Sequence, residues 1–169
     1  MLVEGSTISI EQVAKRAEVS KATAYRYFSS KDVLQKEASL HTQSERKEEL
    51  FADIRADDLP GRIDKLIDYH YELLTNNEAE FRLFLSAVLK ESVQDSENNT
   101  RAGRRIMLTE EALRPLQPTT PKPEFDKMVS AISVVLGIES LTVLKDLCQL
   151  ENAEIQETWK WMINKIIRV

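Results

Sequence analysis

Residues 10–28 read IEQVAKRAEVSKATAYRYF, which has the length and pattern of two short helices joined by a tight turn. Ser9 and Gln12 form a capping box, in which each side chain accepts a hydrogen bond from the backbone N–H of the other residue. Ser20 suits the N-cap of the second helix. The apolar residues of the first helix share one face: Ile10, Val13, Ala14 and Ala17. The stretch therefore predicts a helix-turn-helix.

The two helices should pack through small and apolar side chains and present a polar face outward. Ala14 is small enough for close approach, Val19 is placed to plug the turn, and Ala24 and Phe28 lie on the inner side of the second helix. The outward set combines cations, a hydroxyl, a small residue and aromatic hydroxyls: Lys21, Ala22, Thr23, Tyr25, Arg26 and Tyr27. This set suits contacts to DNA phosphates and base edges.

The charge of the chain is divided unevenly. The whole chain has a net charge of −5, but residues 1–36 contain six lysines and arginines against four acidic residues, a net charge of +2. The remaining residues therefore carry −7. Because a basic segment attracts phosphates and an acidic one repels them, we expect DNA binding to be confined to the N-terminal segment.

The rest of the chain predicts helices separated by short breaks, and no stretch alternates as a strand should. Only 4 of the 169 residues are glycine, which argues against a turn-rich β architecture. Four prolines between Pro115 and Pro123 mark a loop. Helices are expected from residue 31 to the break at 57–61, and over 62–75, 78–92, 104–114, 124–150 and 153–168. The predicted fold class is all-α, with a helix-turn-helix head over 1–36 and a helical body over 37–169.

Several kinds of site have no pattern in the sequence. Cys148 is the single cysteine, so no disulfide can form within the chain. No apolar run reaches the roughly 18 residues of a membrane span, and the N-terminus does not resemble a signal peptide. His41 and His70 are too far apart in sequence to form a metal-binding motif. Without a nucleophile–base pattern or a nucleotide loop, we expect a cytoplasmic protein that is not an enzyme and has no metal, cofactor or membrane partner.

The segment VAKRAEVSKATAYRYFSSKDVL, residues 13–34, resembles the DNA-binding signature of TetR/AcrR-type bacterial transcriptional repressors. The resemblance implies an all-α homodimer with an N-terminal DNA-binding head, a ligand-binding and dimerising body, and a palindromic double-stranded DNA operator. It implies that the second helix lies in the major groove. The implied DNA-binding residues are Ser20, Lys21, Ala22, Thr23, Tyr25, Arg26, Tyr27 and Lys31, of which Lys21, Thr23 and Arg26 are nearer the bases and Tyr25, Tyr27 and Lys31 mainly contact phosphates.

The sequence departs from the family pattern in two places. Glu18 stands at the corner where family members usually have glycine, and a non-glycine residue with positive φ costs about 1 kcal/mol there. Family members also have a full helix before the motif, whereas residues 1–5 look like only its tail. We therefore expect a head without its first helix. This leaves open an alternative function, a helical dimeric ligand-binding or interaction protein that no longer binds DNA.

Under the first hypothesis, a small and mostly apolar effector enters the body, tilts the helix that begins at Lys31 and releases the operator. The helices at 62–75, 78–92 and 104–114 carry more apolar residues than one contact face needs, which suits a pocket with a few polar anchors. The candidate effector contacts are His70, Tyr71, Arg82 and Phe84. His70 has a second interpretation, because it equally suits a hydrogen-bonded core histidine.

The last two predicted helices carry apolar residues in nearly every direction, so they must be covered on every side. Pairing with their twofold mates as a four-helix bundle would bury the excess, and Gly137 and Ser140 would allow close approach where the helices cross. The interface residues predicted in this way are Met128, Ile132, Val135, Leu136, Leu144, Trp159, Met162, Ile163 and Ile166. The alternative is that these helices wrap the core of a single chain.

Overall fold

The computed structural model describes residues 9–22, 24, 47–94 and 103–167. Every regular element in these ranges is helical, which confirms the all-α prediction. The chain divides into two compact units. The N-terminal unit comprises residues 1–43 and 82–102, and the second unit comprises residues 44–81 and 103–169.

Within the described ranges the chain forms eight α-helices. α1 is Ile10–Arg16, α2 is Lys47–Leu50, α3 is Leu59–Asn76, α4 is Glu78–Gln94 and α5 is Arg104–Ala112. A 3-10 turn at Arg114–Leu116 precedes α6, Lys122–Val135. α7, Ile138–Thr142, continues into a π-helical segment, Val143–Leu147, and α8 is Asn152–Ile167.

α3 begins where the sequence supplies both a cap and a proline. The Asp58 carboxylate accepts a hydrogen bond from the Gly61 N–H at 3.1 Å, and Pro60 lies in the first turn, where a missing N–H costs nothing. A Cβ at position 61 would overlap the Asp58 carboxylate, so glycine suits this turn. The buried side chains of α3 then recur at helical spacing: Arg62, Ile63, Leu66, Ile67, His70 and Leu74.

The core of the second unit lies where α8 packs against α6 and α3, and where α5 packs against the same two helices. Trp159 of α8 is fully buried, and its Nε1–H donates to the Ser140 hydroxyl at 2.9 Å. Its ring meets Tyr71 edge-on, with the ring centroids 6.5 Å apart. The other large side chains that are fully buried are Leu66, Ile67, Leu113, Ile132, Leu136, Leu141, Ile155 and Ile163. This apolar core holds the second unit together.

A buried ion pair joins α3 to α5. The Arg62 guanidinium donates to the Glu111 carboxylate at 2.8 Å and to the Glu111 backbone carbonyl at 2.6 Å. It also lies 4.6 Å above the centre of the Phe51 ring. A buried charge is tolerated only when it is paired and hydrogen-bonded, so these contacts compensate for its burial.

The prediction of one continuous helix over residues 124–150 is wrong. α6 ends at Val135, Gly137 takes an extended conformation with φ −111° and ψ 162°, and α7 begins at Ile138. The Arg105 guanidinium occupies the space that a Cβ at Gly137 would fill, and it pairs with Glu139 at 3.1 Å. Gly137 thus permits the close approach of Arg105 from the same chain, and the break places Glu139 beside this arginine of α5.

The prediction that the proline-rich segment contains no helix is also wrong. Pro115 lies in the 3-10 turn, and α6 begins at Lys122 with Pro123 in its first turn. Proline is tolerated in a first turn because the N–H groups there have no partner within the helix.

Within the described ranges, no single helix is long and apolar enough to cross a membrane. The segments Lys122–Val135 and Ile138–Leu147 meet the length and composition requirements only as a pair, and the pair is bent by 46°.

Candidate nucleic-acid interface

α1 begins at the predicted capping box. The Ser9 hydroxyl accepts a hydrogen bond from the Gln12 N–H at 3.2 Å, and the Gln12 side chain accepts one from the Ser9 N–H at 2.9 Å. Two backbone donors that the helix leaves free are therefore satisfied locally. Lys15 and Arg16 lie in the last turn, where positive charges interact favourably with the negative end of the helix dipole.

The turn after α1 depends on one left-handed residue. Glu18 has φ of 56°, as its place at the corner predicts. The Val19 N–H then donates to the Ala14 carbonyl at 3.0 Å. Lys21, Ala22 and Ala24 are helical, and the Ala24 N–H donates to the Ser20 carbonyl at 3.0 Å. A second helical turn therefore follows α1 after Ser20.

Small side chains fill the space between the two turns. Ile10, Ala14 and Ala24 form a buried cluster, and Val13 packs against it. The predicted inner positions of Ala14 and Ala24 are confirmed, because both side chains are buried. The placement of Val19 and Ala17 is corrected. Val19 is 42% exposed and does not plug the turn, and Ala17 is exposed because it ends α1 as the C-cap.

The described part of the predicted DNA-binding face is open to solvent. Ser20, Lys21 and Ala22 are all exposed, as are Lys15 and Arg16 at the end of α1. The other predicted DNA contacts lie outside the described residues: Thr23, Tyr25, Arg26, Tyr27 and Lys31. The described geometry is that of a short helix, a left-handed corner and the start of a second helix with a cation on its outer side.

This segment has a match among known families. Residues 6–38 match the model of bacterial regulatory proteins of the tetR family. The N-terminal segment is therefore similar to that of regulators of this family. The match covers the capped helix, the corner and the residues after Ser20, which is about a fifth of the 169-residue chain. Regulators of the tetR family bind DNA and control transcription. They are generally not enzymes, and they typically form dimers. No curated protein and no solved structure matches the chain.

The four predicted effector contacts differ in their surroundings. His70 is buried, its Nδ1–H donates to the Leu66 carbonyl at 2.9 Å, and Tyr69 meets its ring edge-on at 5.2 Å. The pKa of His70 is lowered to about 4, mainly by burial and to a smaller extent by the nearby Arg105 charge, against the hydrogen bond to Leu66, which raises it. Tyr71 is half-buried against Trp159. Arg82 and Phe84 are half-buried and belong to the N-terminal unit, whereas His70 and Tyr71 belong to the second unit.

A cleft in the second unit lies elsewhere, between α5, the 3-10 turn and the start of α6. It has a volume of about 500 Å³. Its lining residues are Met107, Glu110, Glu111, Arg114, Gln117, Thr120, Lys122, Phe125 and Asp126. The sequence placed a pocket partly on α5 but did not single out these residues. The proximity of Glu110 and Lys122 arises only when the proline-rich segment folds α6 back towards α5.

The predicted interface residues are largely covered within one chain. Ile132, Val135, Leu136, Trp159 and Ile163 are buried in the second unit, and Met128, Leu144, Met162 and Ile166 are half-buried. The large apolar side chains that α6 to α8 expose instead are Val134, Val143, Leu147 and Trp161. In the described part of the chain, no group of three or more His, Cys, Asp or Glu side chains could hold a metal ion.

Proposed function

We propose that this TetR-family protein is a transcriptional repressor that acts in the cytoplasm as a homodimer. Two heads, each formed by residues 1–36, bind the half-sites of a palindromic operator in successive major grooves, about 34 Å apart. A small effector bound by the body, residues 37–169, changes the spacing of the heads and releases the DNA. A shift of a few ångströms is enough, because both recognition helices must fit the same face of the duplex.

One observation carries this proposal. The capped helix, the left-handed corner at Glu18 and the exposed Ser20, Lys21 and Ala22 lie inside the segment that matches the family. Exposed cations and small polar residues at the start of a second helix are what a helix needs to approach bases and phosphates closely. The net charge of +2 on residues 1–36 favours the same surface.

Two substitutions separate contacts to bases from contacts to phosphates. Arg26→Ala should cost about 1–3 kcal/mol on DNA that flanks the protein's own gene and little on random DNA. Lys31→Ala should weaken binding to both DNAs alike and lower the slope of log affinity against log salt by about one. Fluorescence anisotropy at several salt concentrations measures both. Equal losses on the two DNAs for both variants would contradict base reading by this segment.

The dimer interface is proposed on the last helices, through the side chains that one chain leaves exposed. Val134 is 68% exposed and Leu147 is 77% exposed. Because removing such large apolar side chains from water is favourable, pairing through these helices stabilises a dimer. Regulators of this family typically dimerise, which supports the same assembly.

A charge on this surface tests the pairing without disturbing the core. Val134→Asp should give folded monomers in sedimentation velocity, because the new carboxylate would have to be desolvated in the interface. Val93→Asp is the matched control, since Val93 is exposed on α4, outside the last helices. If Val134→Asp leaves the dimer intact, or if the unmodified protein is a monomer at micromolar concentration, the proposed interface is wrong.

A further inference from the structure

We propose that the cleft between α5 and α6 binds a small organic cation that carries an apolar group, with the Glu110 carboxylate as its anchor. The cleft lies entirely within the second unit, and its volume of about 500 Å³ is within the range of small-molecule sites. The proposal names a ligand class and a site, and it depends on the proposed function only for any effect on DNA.

The walls of the cleft favour a ligand with an apolar part. Phe125 lines the cleft from α6 although its side chain is buried, and Met107 lines it from α5. Aromatic and thioether side chains bind apolar groups of varied shape. A ligand seated between them removes its own apolar surface from water.

The charges of the cleft favour a cation. Three carboxylates line it against two cations, and both cations are already engaged. Lys122 donates to Asp126 at 2.8 and 3.0 Å, and Arg114 donates to Glu111 at 3.4 Å. The Glu111 carboxylate also accepts the bond from buried Arg62. An anionic ligand would therefore have to displace an existing ion pair.

Glu110 is the carboxylate that remains. Within the described part of the chain it makes no hydrogen bond and no ion pair, although it is close enough to Lys122 to contribute to its electrostatics. The pKa of Lys122 is raised first by its hydrogen bond to Asp126, then by the charge of Asp126, and to a smaller extent by the charge of Glu110. An exposed carboxylate beside Met107 can thus accept an ammonium without breaking any contact of the fold.

Glu111 connects the cleft to the core of the second unit. It lines the cleft on one side and holds Arg62 on the other, and Arg62 stacks on Phe51 after α2. A cation at Glu110 adds positive charge next to this ion pair. Ligand binding should therefore change the relative strength of the two Glu111 ion pairs, one with Arg62 and one with Arg114. A ligand in an external cleft can in this way affect the core of the unit.

The test is calorimetric titration of the full chain with phenethylammonium, without DNA. The neutral isostere 2-phenylethanol and the anion phenylacetate are titrated in parallel. Phenethylammonium should bind at least about fivefold more tightly than the alcohol, because a charge pair near 4 Å is favourable even in water. This preference should shrink as salt is added. Equal binding of the alcohol, tighter binding of the anion, or no ammonium binding at millimolar concentration would overturn the proposal.

Matched variants assign the anchor. Glu110→Gln should remove the preference for the ammonium, whereas Glu124→Gln should keep it, since Glu124 is an exposed glutamate of α6 that does not line the cleft. Both side chains are exposed, so thermal melts should show both variants folded. Equal losses in the two variants would overturn the assignment. An anisotropy titration then separates the two proposals: if phenethylammonium binds at Glu110 but leaves DNA affinity unchanged, the cleft site stands and release of DNA by such a cation is contradicted.

Discussion

The N-terminal segment and the second unit are stabilised over different distances along the chain. In the described N-terminal residues, the bonds join Ser9 to Gln12, Val19 to Ala14 and Ala24 to Ser20, all within five residues of one another. In the second unit, Arg62 reaches Glu111 across 49 positions and Gln156 reaches Asp68 across 88. These described N-terminal contacts depend on spacing within a few residues, whereas these contacts of the second unit join distant helices.

The same contrast is present in the cores. The described N-terminal cluster consists of Ile10, Ala14 and Ala24, two of which are alanines. The second unit buries Trp159 and many large aliphatic side chains completely. Since apolar stabilisation rises with the area removed from water, truncating Trp159 should cost more than truncating a member of this described cluster. The predictions that follow test this contrast.

The largest effect is expected at Trp159. Trp159→Ala should cost about 3–5 kcal/mol of unfolding free energy, because it leaves a large cavity and removes the bond to Ser140. Trp161 is the matched control, since it lies on the same helix but is 63% exposed. Trp161→Ala should cost less than about 1 kcal/mol. Urea unfolding of dilute protein measures both, and similar costs would mean that the core is not where the structure places it.

The next effect concerns the pH dependence of stability. His70 is buried with its pKa lowered to about 4, so the folded state resists a proton that the unfolded chain takes up near pH 6.5. This contribution is fully present above about pH 6.5 and is lost as the pH falls towards 4. Between about pH 7 and pH 4.5 the unmodified protein should lose about 2–3 kcal/mol more than His70→Asn, which cannot titrate. Urea unfolding at the two pH values would contradict this if the two proteins lost the same amount.

The smallest effect compares the two left-handed residues. Glu18 has φ of 56° in the N-terminal unit, and Gln149 has φ of 55° in the second unit. Glycine at either position should stabilise its own turn by up to about 1 kcal/mol. In hydrogen exchange, Glu18→Gly should slow the Val19 amide, which is bonded to Ala14, and Gln149→Gly should slow the Leu150 amide, which is bonded to Leu144. Faster exchange at these amides would show that the corners are not strained.

The contrast also explains what the sequence could predict. The capping box and the buried Ala14 and Ala24 follow from spacing within a few residues, the corner at Glu18 follows from the resemblance to the family, and the structure confirms all of them. The break at Gly137 could not be predicted in this way. The residue packed against the glycine is Arg105, which lies more than thirty positions earlier and occupies the space that a Cβ would fill.

The cleft escaped prediction for the same reason. Glu110 and Lys122 are separated by the proline-rich segment, and they face one cleft only because that segment forms a 3-10 turn and then starts α6. The interface prediction rested on helices with apolar residues on every side, which must be buried against something. The sequence pattern does not distinguish burial against a second chain from burial within the same chain. Ile132, Leu136 and Trp159 are in fact buried within their own chain.

The central claim is that the N-terminal segment binds double-stranded DNA through the exposed start of its second helix. The most direct test is the equilibrium affinity of the chain for DNA that flanks its own gene, with Lys21→Ala and Lys65→Ala measured side by side. Both lysines are exposed, and Lys65 lies on α3 of the second unit. Binding should weaken steeply as salt rises from about 50 to 200 mM, and Lys21→Ala should cost about 1–3 kcal/mol while Lys65→Ala changes nothing. Absence of salt-dependent binding, or equal losses in the two variants, would contradict the claim.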